Sequence, residues 1–384
     1  MSILFYNFSL SNGIFLCENL PKVPFVSIMY LHSTRVYGRI MDFVTLKTLC
    51  QLDGVSGRED AVRQEISNQL HSLVQDIRTD VLGNLIAFKK GRTNQNIILC
   101  AHMDEVGLMV KYISPEGFLS FVPVGGIDPR TLLAQRVRVH TSQGVLRGVI
   151  GTKPAHITQE AERGKAVAMT ELFIDVGLTG QEATEQVQLG DFVTLERSFE
   201  QVGPNCFCSK AFDDRVGCFC ILEALKRVKN PLYGVHVVFS SQEEVGLRGA
   251  GTAAFGLEAD LALAIDATGA ADIPLCRPQD YIVRLGGGVA ISAIDSSTIT
   301  PTWLFEGLKK LSAAHDISYQ VRIAPRGGND AGAIHRSRTG IASCALSVPT
   351  RNIHSNVEVV HQKDIEATVA LLCAVLENGV EKRG

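Results

Sequence analysis

The chain lacks an excess of charge of either sign: 37 Lys and Arg stand against 40 Asp and Glu, a formal net charge of −3. No Lys/Arg block lies beside an aromatic platform, so no nucleic acid is expected as a partner. No apolar run approaches the length needed to cross a bilayer, and no basic stretch precedes the first apolar residues, the first lysine being Lys22. Neither a membrane nor a secretory leader is therefore expected. Internal repeats and low-complexity segments are missing too. The chain has ten cysteines, but Cys206-Phe207-Cys208 and Cys218-Phe219-Cys220 lack the two-residue gap of zinc ribbons and thioredoxin-like sites. Cys100, Cys218, Cys220, Cys344 and Cys373 sit inside apolar runs, where a reduced thiol acts as a small hydrophobe. A reducing, cytoplasmic setting follows. Gly286-Gly287-Gly288 has no Gly-Lys-Ser/Thr after it, which excludes a phosphate loop.

What is present is an ordinary globular composition, 46% hydrophobic and 20% charged over 384 residues, long enough for two domains. Residues 1–40 show no clear period and are interrupted by Pro21 and Pro24. They read as an extension outside the fold, or translation starts at Met41. There an amphipathic pattern begins with Phe43, Leu46, Leu49 and Cys50. Ser56 offers a helix N-cap, followed by Val62, Ile66 and Leu70 at helical spacing,. Strands are expected at 84–88 and 96–101.

From about 107 to 203 short alternating runs are broken by Gly and Pro, the pattern of a small β-barrel or sandwich. Beyond 210, strands expected at 235–240, 261–266, 319–323 and 340–347 alternate with helices at 214–228, 249–255, 301–315, 330–338 and 365–378. Such alternation predicts an α/β fold: a mostly parallel sheet covered by helices on both faces. The expected organisation is a catalytic α/β domain of residues 41–107 and 204–384, interrupted by a β insert at 108–203.

Active sites of open α/β sheets form at the carboxyl ends of strands. His102 stands just past the apolar run Asn96-Ile97-Ile98-Leu99-Cys100, and Glu243-Glu244 and Asp266 also follow expected strands. His354 lies a short loop beyond another, and Asp213-Asp214 open a helix. Histidine and carboxylate donors without thiolate suit Zn²⁺, Co²⁺ or Mn²⁺ in a hydrolytic site. Asp104 can orient the His102 ring from behind. Adjacent carboxylates at Asp213 and Asp214 repel unless a cation lies between them; one would bridge two cations while the other supports the turn. On extended backbone Glu243 and Glu244 would point to opposite faces. One could then bind metal while the other acts as base toward an activated water. Each pair taken singly is also common in solvated loops; the full set points to a hydrolase.

These strings resemble the M42 family of metallo-aminopeptidases, within the co-catalytic zinc aminopeptidases, over residues 41–380. The resemblance rests on Ala101-His102-Met103-Asp104-Glu105-Val106-Gly107, Lys210-Ala211-Phe212-Asp213-Asp214-Arg215, Gln242-Glu243-Glu244-Val245-Gly246-Leu247-Arg248-Gly249-Ala250 and Pro349-Thr350-Arg351-Asn352-Ile353-His354-Ser355. It implies two divalent ions per subunit, Zn²⁺ or Co²⁺ before Mn²⁺. His102 and Asp266 would hold the first, Glu244 and His354 the second, and Asp213 both. It implies Glu243 as general base, with Asp104 behind His102. It further implies that the insert is a β-barrel dimerisation domain, and that dimers build a hollow tetrahedral dodecamer admitting peptides. Arg326, Gly328, Asn329 and Asn352 fall near the implied substrate pocket. Asn329 replaces the family's usual Thr, and Asn352 stands where an aromatic residue, usually Tyr, is common.

The expected function is removal of N-terminal residues from short peptides. A metal-dependent deacylase acting on blocked termini is the alternative. A glycosidase is less favoured, because adjacent Glu243 and Glu244 do not flank a sugar bond as two separated carboxyls must.

Overall fold

The structure, a computed structural model, describes residues 41–157, 166–274 and 276–381; the expectation for residues 1–40 lies outside them. Helices α1 (Val44–Gln51) and α2 (Asp60–Leu70) lead into strands β1 (Asp76–Thr79), β2 (Leu85–Lys89) and β3 (Asn96–His102). Then come β4 (Gly107–Ile113), β5 (Leu119–Val124), β6 (Arg136–Thr141), β7 (Gly144–Gly151), β8 (Phe173–Asp175), α3 (Gly180–Gln186) and β9 (Phe192–Leu195). The remainder is β10 (Glu200–Val202), β11 (Cys206–Ser209), α4 (Phe212–Arg227), β12 (Gly234–Ser240), α5 (Arg248–Phe255), β13 (Leu261–Gly269) and β14 (Val289–Ile294). The chain closes with α6 (Thr302–Ala314), β15 (Tyr319–Ile323), α7 (Ala331–Ile334), β16 (Ala342–Arg351), β17 (Glu358–His361) and α8 (Gln362–Asn378).

α1 buries Leu46, Leu49 and Cys50, and α2 buries Val62, Ile66 and Leu70, as their spacing requires. α2 starts four residues after Ser56, however, and the Ser56 hydroxyl is used elsewhere. The large sheet runs β1-β2-β12-β3-β13-β16-β17-β11-β10, with β14 and β15 attached beside β16. Its centre, β12-β3-β13-β16, is parallel. The flanks β1-β2, β2-β12, β16-β17, β17-β11 and β11-β10 are antiparallel. The sheet is thus mixed, parallel in the middle and again between the attached strands β14 and β15. Central strands are buried on both faces and carry unbroken apolar runs, as β3 does with Ile97, Ile98, Leu99 and Cys100 at 0% exposure. α5 and α7 pack on one face, where Ala250, Ala253 and Ile334 meet Ile98, Cys100 and Val238. α4 packs against β3 and β13 together with α8.

Between β3 and β10 the chain forms a closed six-strand barrel, β4-β5-β8-β7-β6-β9. Its interior is filled by residues two apart on each strand: Leu108 and Val110, Leu119 and Phe121, Val137 and Val139, Val193 and Leu195, the period of a strand with one face inward. β10, inside the stretch 108–203, is hydrogen-bonded to the large sheet through β11.

Candidate metal centre

The parallel strands bring their carboxyl ends to one place, and the expected side chains arrive there from separate elements. His102 is the last residue of β3, buried at 3% exposure. Its Nε2 lies 3.0 Å from Asp213 Oδ1, 3.7 Å from Asp266 Oδ1 and 4.0 Å from Glu243 Oε2. His354 Nε2 lies 3.3 Å from Asp213 Oδ2 and 3.4 Å from Glu244 Oε2. One Asp213 carboxylate therefore offers one oxygen to each imidazole. Each ring turns its other nitrogen to a backbone carbonyl: His102 Nδ1 to Asp104 O at 3.1 Å and His354 Nδ1 to Gly126 O at 2.7 Å. That leaves Nε2 as the free donor atom of both rings, the second contact that metal-binding histidines use to fix their tautomer.

Three local departures from regular structure set this up. Asp213 and Asp214 carry non-helical backbone angles inside the first turn of α4. Asp214 directs its carboxylate to backbone amides, accepting from His102 N at 3.1 Å and Gly217 N at 2.9 Å. Asp213 faces the imidazoles and Asp214 supports the turn. The expectation that Glu243 and Glu244 sit on extended backbone is corrected: β12 ends at Ser240, and Gln242 has φ 57. The two glutamates lie on a turn, both directed at the histidines. Asp104 holds that turn, accepting from Glu243 N at 3.0 Å, Glu244 N at 3.1 Å and Ser56 Oγ at 2.6 Å. Its carboxylate also lies 3.4 Å from His102 Nδ1, so it backs the ring and the glutamate turn at once. His354, three residues past β16, has φ 60, a left-handed conformation uncommon outside glycine.

The electrostatics are those of crowded, buried carboxylates. Burial, with the Asp213 charge, pushes Glu244 up to about 8. Burial likewise raises Glu243 and Asp266 well above the usual carboxylate range, against the pull of His102. For His354 burial works downward but is outweighed by Asp213 and Glu244, leaving it up at about 10. His102 is raised in the same way, chiefly by Glu243 and by contacts with Asp104 and Asp213. Asp213 is also buried, but its hydrogen bonds to both imidazoles hold it well below its ordinary value.

Donor atoms of His102, Asp213 and Glu244 lie within 4.8 Å of one another, and so do those of His102, Asp214 and Asp266. Asp214 has both oxygens committed to amides, so Asp213 is the better partner for His102 and Asp266. Glu244 Oε1 is buried without any hydrogen-bond partner. Nitrogen and oxygen donors converging in this way, several holding protons that a cation can replace, fit divalent metal ions.

The four residues expected near a substrate pocket behave differently from one another. Arg326 and Gly328 are exposed on the loop between β15 and α7. Asn352 is exposed at φ 56, its Nδ2 donating to Val357 O at 3.2 Å. Asn329 is 1% exposed, donates to Asp295 Oδ2 at 2.9 Å and accepts from Ala331 N at 3.0 Å. Its amide shapes the loop between β15 and α7. The amides of Gly286 and Gly288 are each 2.7 Å from the Asp364 carboxylate, so that loop is bound to α8.

Sequence reasoning missed a second rank of residues. Lys210 Nζ donates to Glu105 Oε1 and Oε2 at 2.6 and 2.7 Å, beneath the site. Asp53 takes Arg138 of the barrel at 2.6 Å and lies 3.3 Å from Lys210, so ionic contacts tie barrel and sheet together. Asp330 contacts Ser240 and Cys100. Glu105 and Lys210 stand inside the motif strings, but nothing in their spacing says that they pair.

Sequence and structure comparisons converge on one group. The M42 glutamyl aminopeptidase family matches residues 83–371. The lysyl aminopeptidase of Pyrococcus furiosus is 32% identical over 346 residues, covering 88% of this chain and 97% of its own. The solved aminopeptidase of Desulfurococcus kamchatkensis superimposes with a TM-score of 0.84 at 39% identity, over 87% of this chain and 94% of that one. The Pyrococcus horikoshii TET1 peptidase, described as assembling into a tetrahedron or a large octahedral shell, gives 0.78 at 35% identity, over 87% and 98%.

Proposed function

Because the chain belongs to the M42 glutamyl aminopeptidase family and is a peptidase hydrolase of that type, we propose that it removes N-terminal residues from short peptides using two divalent cations held by the residues described above. The observation that carries this reading is Asp213, with one oxygen 3.0 Å from His102 Nε2 and the other 3.3 Å from His354 Nε2. His102, Asp266 and Asp213 would hold one cation; His354, Glu244 and Asp213 the other. Zn²⁺ or Co²⁺ suits this donor set best, and Mn²⁺ is compatible with it. When bound, the cations supply Lewis acidity, lowering the pKa of water and offsetting charge on the scissile carbonyl oxygen.

The remaining work falls to the protein. Glu243 stays close to the pair yet is spared as a ligand, and burial raises its proton affinity well above that of an ordinary carboxylate, the direction that favours a general base. Its Oε2 takes a proton from the attacking water and returns it to the nitrogen of the departing amine. Asp104 keeps Glu243 in reach by binding its backbone amide. The free thiols of the described cysteines, most of them buried, support a reducing, cytoplasmic setting. Likeness to TET1 supports self-association, with the barrel as the dimerising part.

Amino-acid anilides with free and acetylated termini test the reading, assayed after chelation and again after adding back Zn²⁺, Co²⁺ or Mn²⁺. Free termini should be cleaved only with cation restored. Equal cleavage of acetylated substrates would favour a deblocking peptidase, and chelation-resistant cleavage would remove the metal reading.

A further inference from the structure

Glu358 opens β17 and lines the same small cavity as Asp213 and Glu244, yet it has no part in the reaction above. It is 2% exposed. Its Oε2 accepts from Asp213 N at 3.0 Å and its Oε1 from His354 N at 2.9 Å. One buried carboxylate thus joins the backbones of two ligands that come from α4 and from the loop after β16. Both amides lie where regular structure cannot take them. Asp213 is non-helical within α4, and His354 sits at φ 60 between β16 and β17. Glu358 itself is fixed by the pairing of β17 with β11, in which it stands opposite Ser209.

We propose that Glu358 is a positioning residue that locks Asp213 and His354 at a set separation and so determines affinity for the cation between His354 and Glu244. This rests on the two-cation reading. His354 has the greater freedom, because its loop is irregular and its ring is half-buried, whereas His102 is anchored at the end of a central strand. Losing the Glu358 contact therefore loosens the His354 side first. The geometry requires both carboxylate oxygens and the full side-chain length. Glu358→Gln keeps the shape but sets an NH₂ group against one amide; Glu358→Asp keeps the charge but cannot span both.

The experiment titrates Zn²⁺ into cation-free wild type, E358Q and E358D by calorimetry, with thermal melts on the same cation-free samples. Wild type should bind two ions per subunit. Both variants should melt cooperatively, keep one ion at near wild-type affinity and bind the other roughly 10- to 100-fold more weakly. Wild-type affinity for both ions in E358Q would overturn the proposal. So would an E358D protein indistinguishable from wild type, since charge alone would then suffice. Loss of both ions together with the cooperative melt would reduce Glu358 to a general structural residue. If wild type binds no ion, the two-cation reading itself falls, before any variant is compared.

Discussion

Loading the site with cations must expel protons that burial and neighbouring charge hold there beforehand. Burial and neighbouring charge hold Glu244 up at about 8 and His354 at about 10. At pH 7 both carry protons, and neither can keep its proton while donating to a metal, so full loading should release about two. His102 and Asp266 are raised in the same direction. Apparent cation affinity should climb on the order of 100-fold per pH unit up to about 8, then about tenfold per unit until about 10. Folding stability carries the same sign. Both groups bind protons more tightly in the fold than at their ordinary values of 4.5 and 6.5. The cation-free protein therefore loses stability as pH rises from about 4.5 toward about 10, while the loaded protein is protected from that loss. Calorimetric titration at pH 7 in two buffers of different ionisation enthalpy counts the protons directly. Release of less than one proton per fully loaded subunit would refute the reasoning.

Glu243→Gln should retain both cations by calorimetry yet lose roughly 10²- to 10⁴-fold in kcat on an amino-acid anilide; near-wild-type turnover removes Glu243 from its role. Asp213→Asn should weaken both cations together, because one carboxylate faces both imidazoles; selective loss of a single cation contradicts that bridging. Glu105→Gln removes one charged partner of the Lys210 ammonium, 2% exposed, while Asp53 stays 3.3 Å away, so it should cost about 1–3 kcal/mol in urea unfolding; no measurable cost would show that the pair is not structural. Gly249→Ala places a Cβ against Asn84 Oδ1 and the Ser241 carbonyl, behind the glutamate turn. It should lower thermal stability and kcat together, and an unchanged melt would show that the packing there yields.

Most of the proposed site residues were legible because the signals are local: His102 and Asp266 lie in apolar strands, and Glu243 and Glu244 follow one. The turn at Glu243-Glu244 was misread because an extended backbone and a left-handed Gln242 look alike in sequence. The burial of Asn329 was hidden for a similar reason. Its partner Asp295 lies 34 positions away, and only folding shows that its amide is engaged. The antiparallel flanks of the sheet left no signal because β-α alternation says nothing about strands such as β11 and β17, whose pairing depends on long-range return of the chain.

Periodicity and strand-end chemistry alone determined an α/β frame, a β-rich insert and a set of imidazole and carboxylate donors suited to divalent cations. Tertiary structure alone decided which oxygen meets which nitrogen. It turned Asp213 between the two rings and Asp214 toward amides, and gave His354 a carbonyl partner in Gly126, 228 residues away. It also set Glu358 behind both ligands. Such contacts form only when separate strands converge, so their energies belong to spatial neighbours and leave no pattern along the chain.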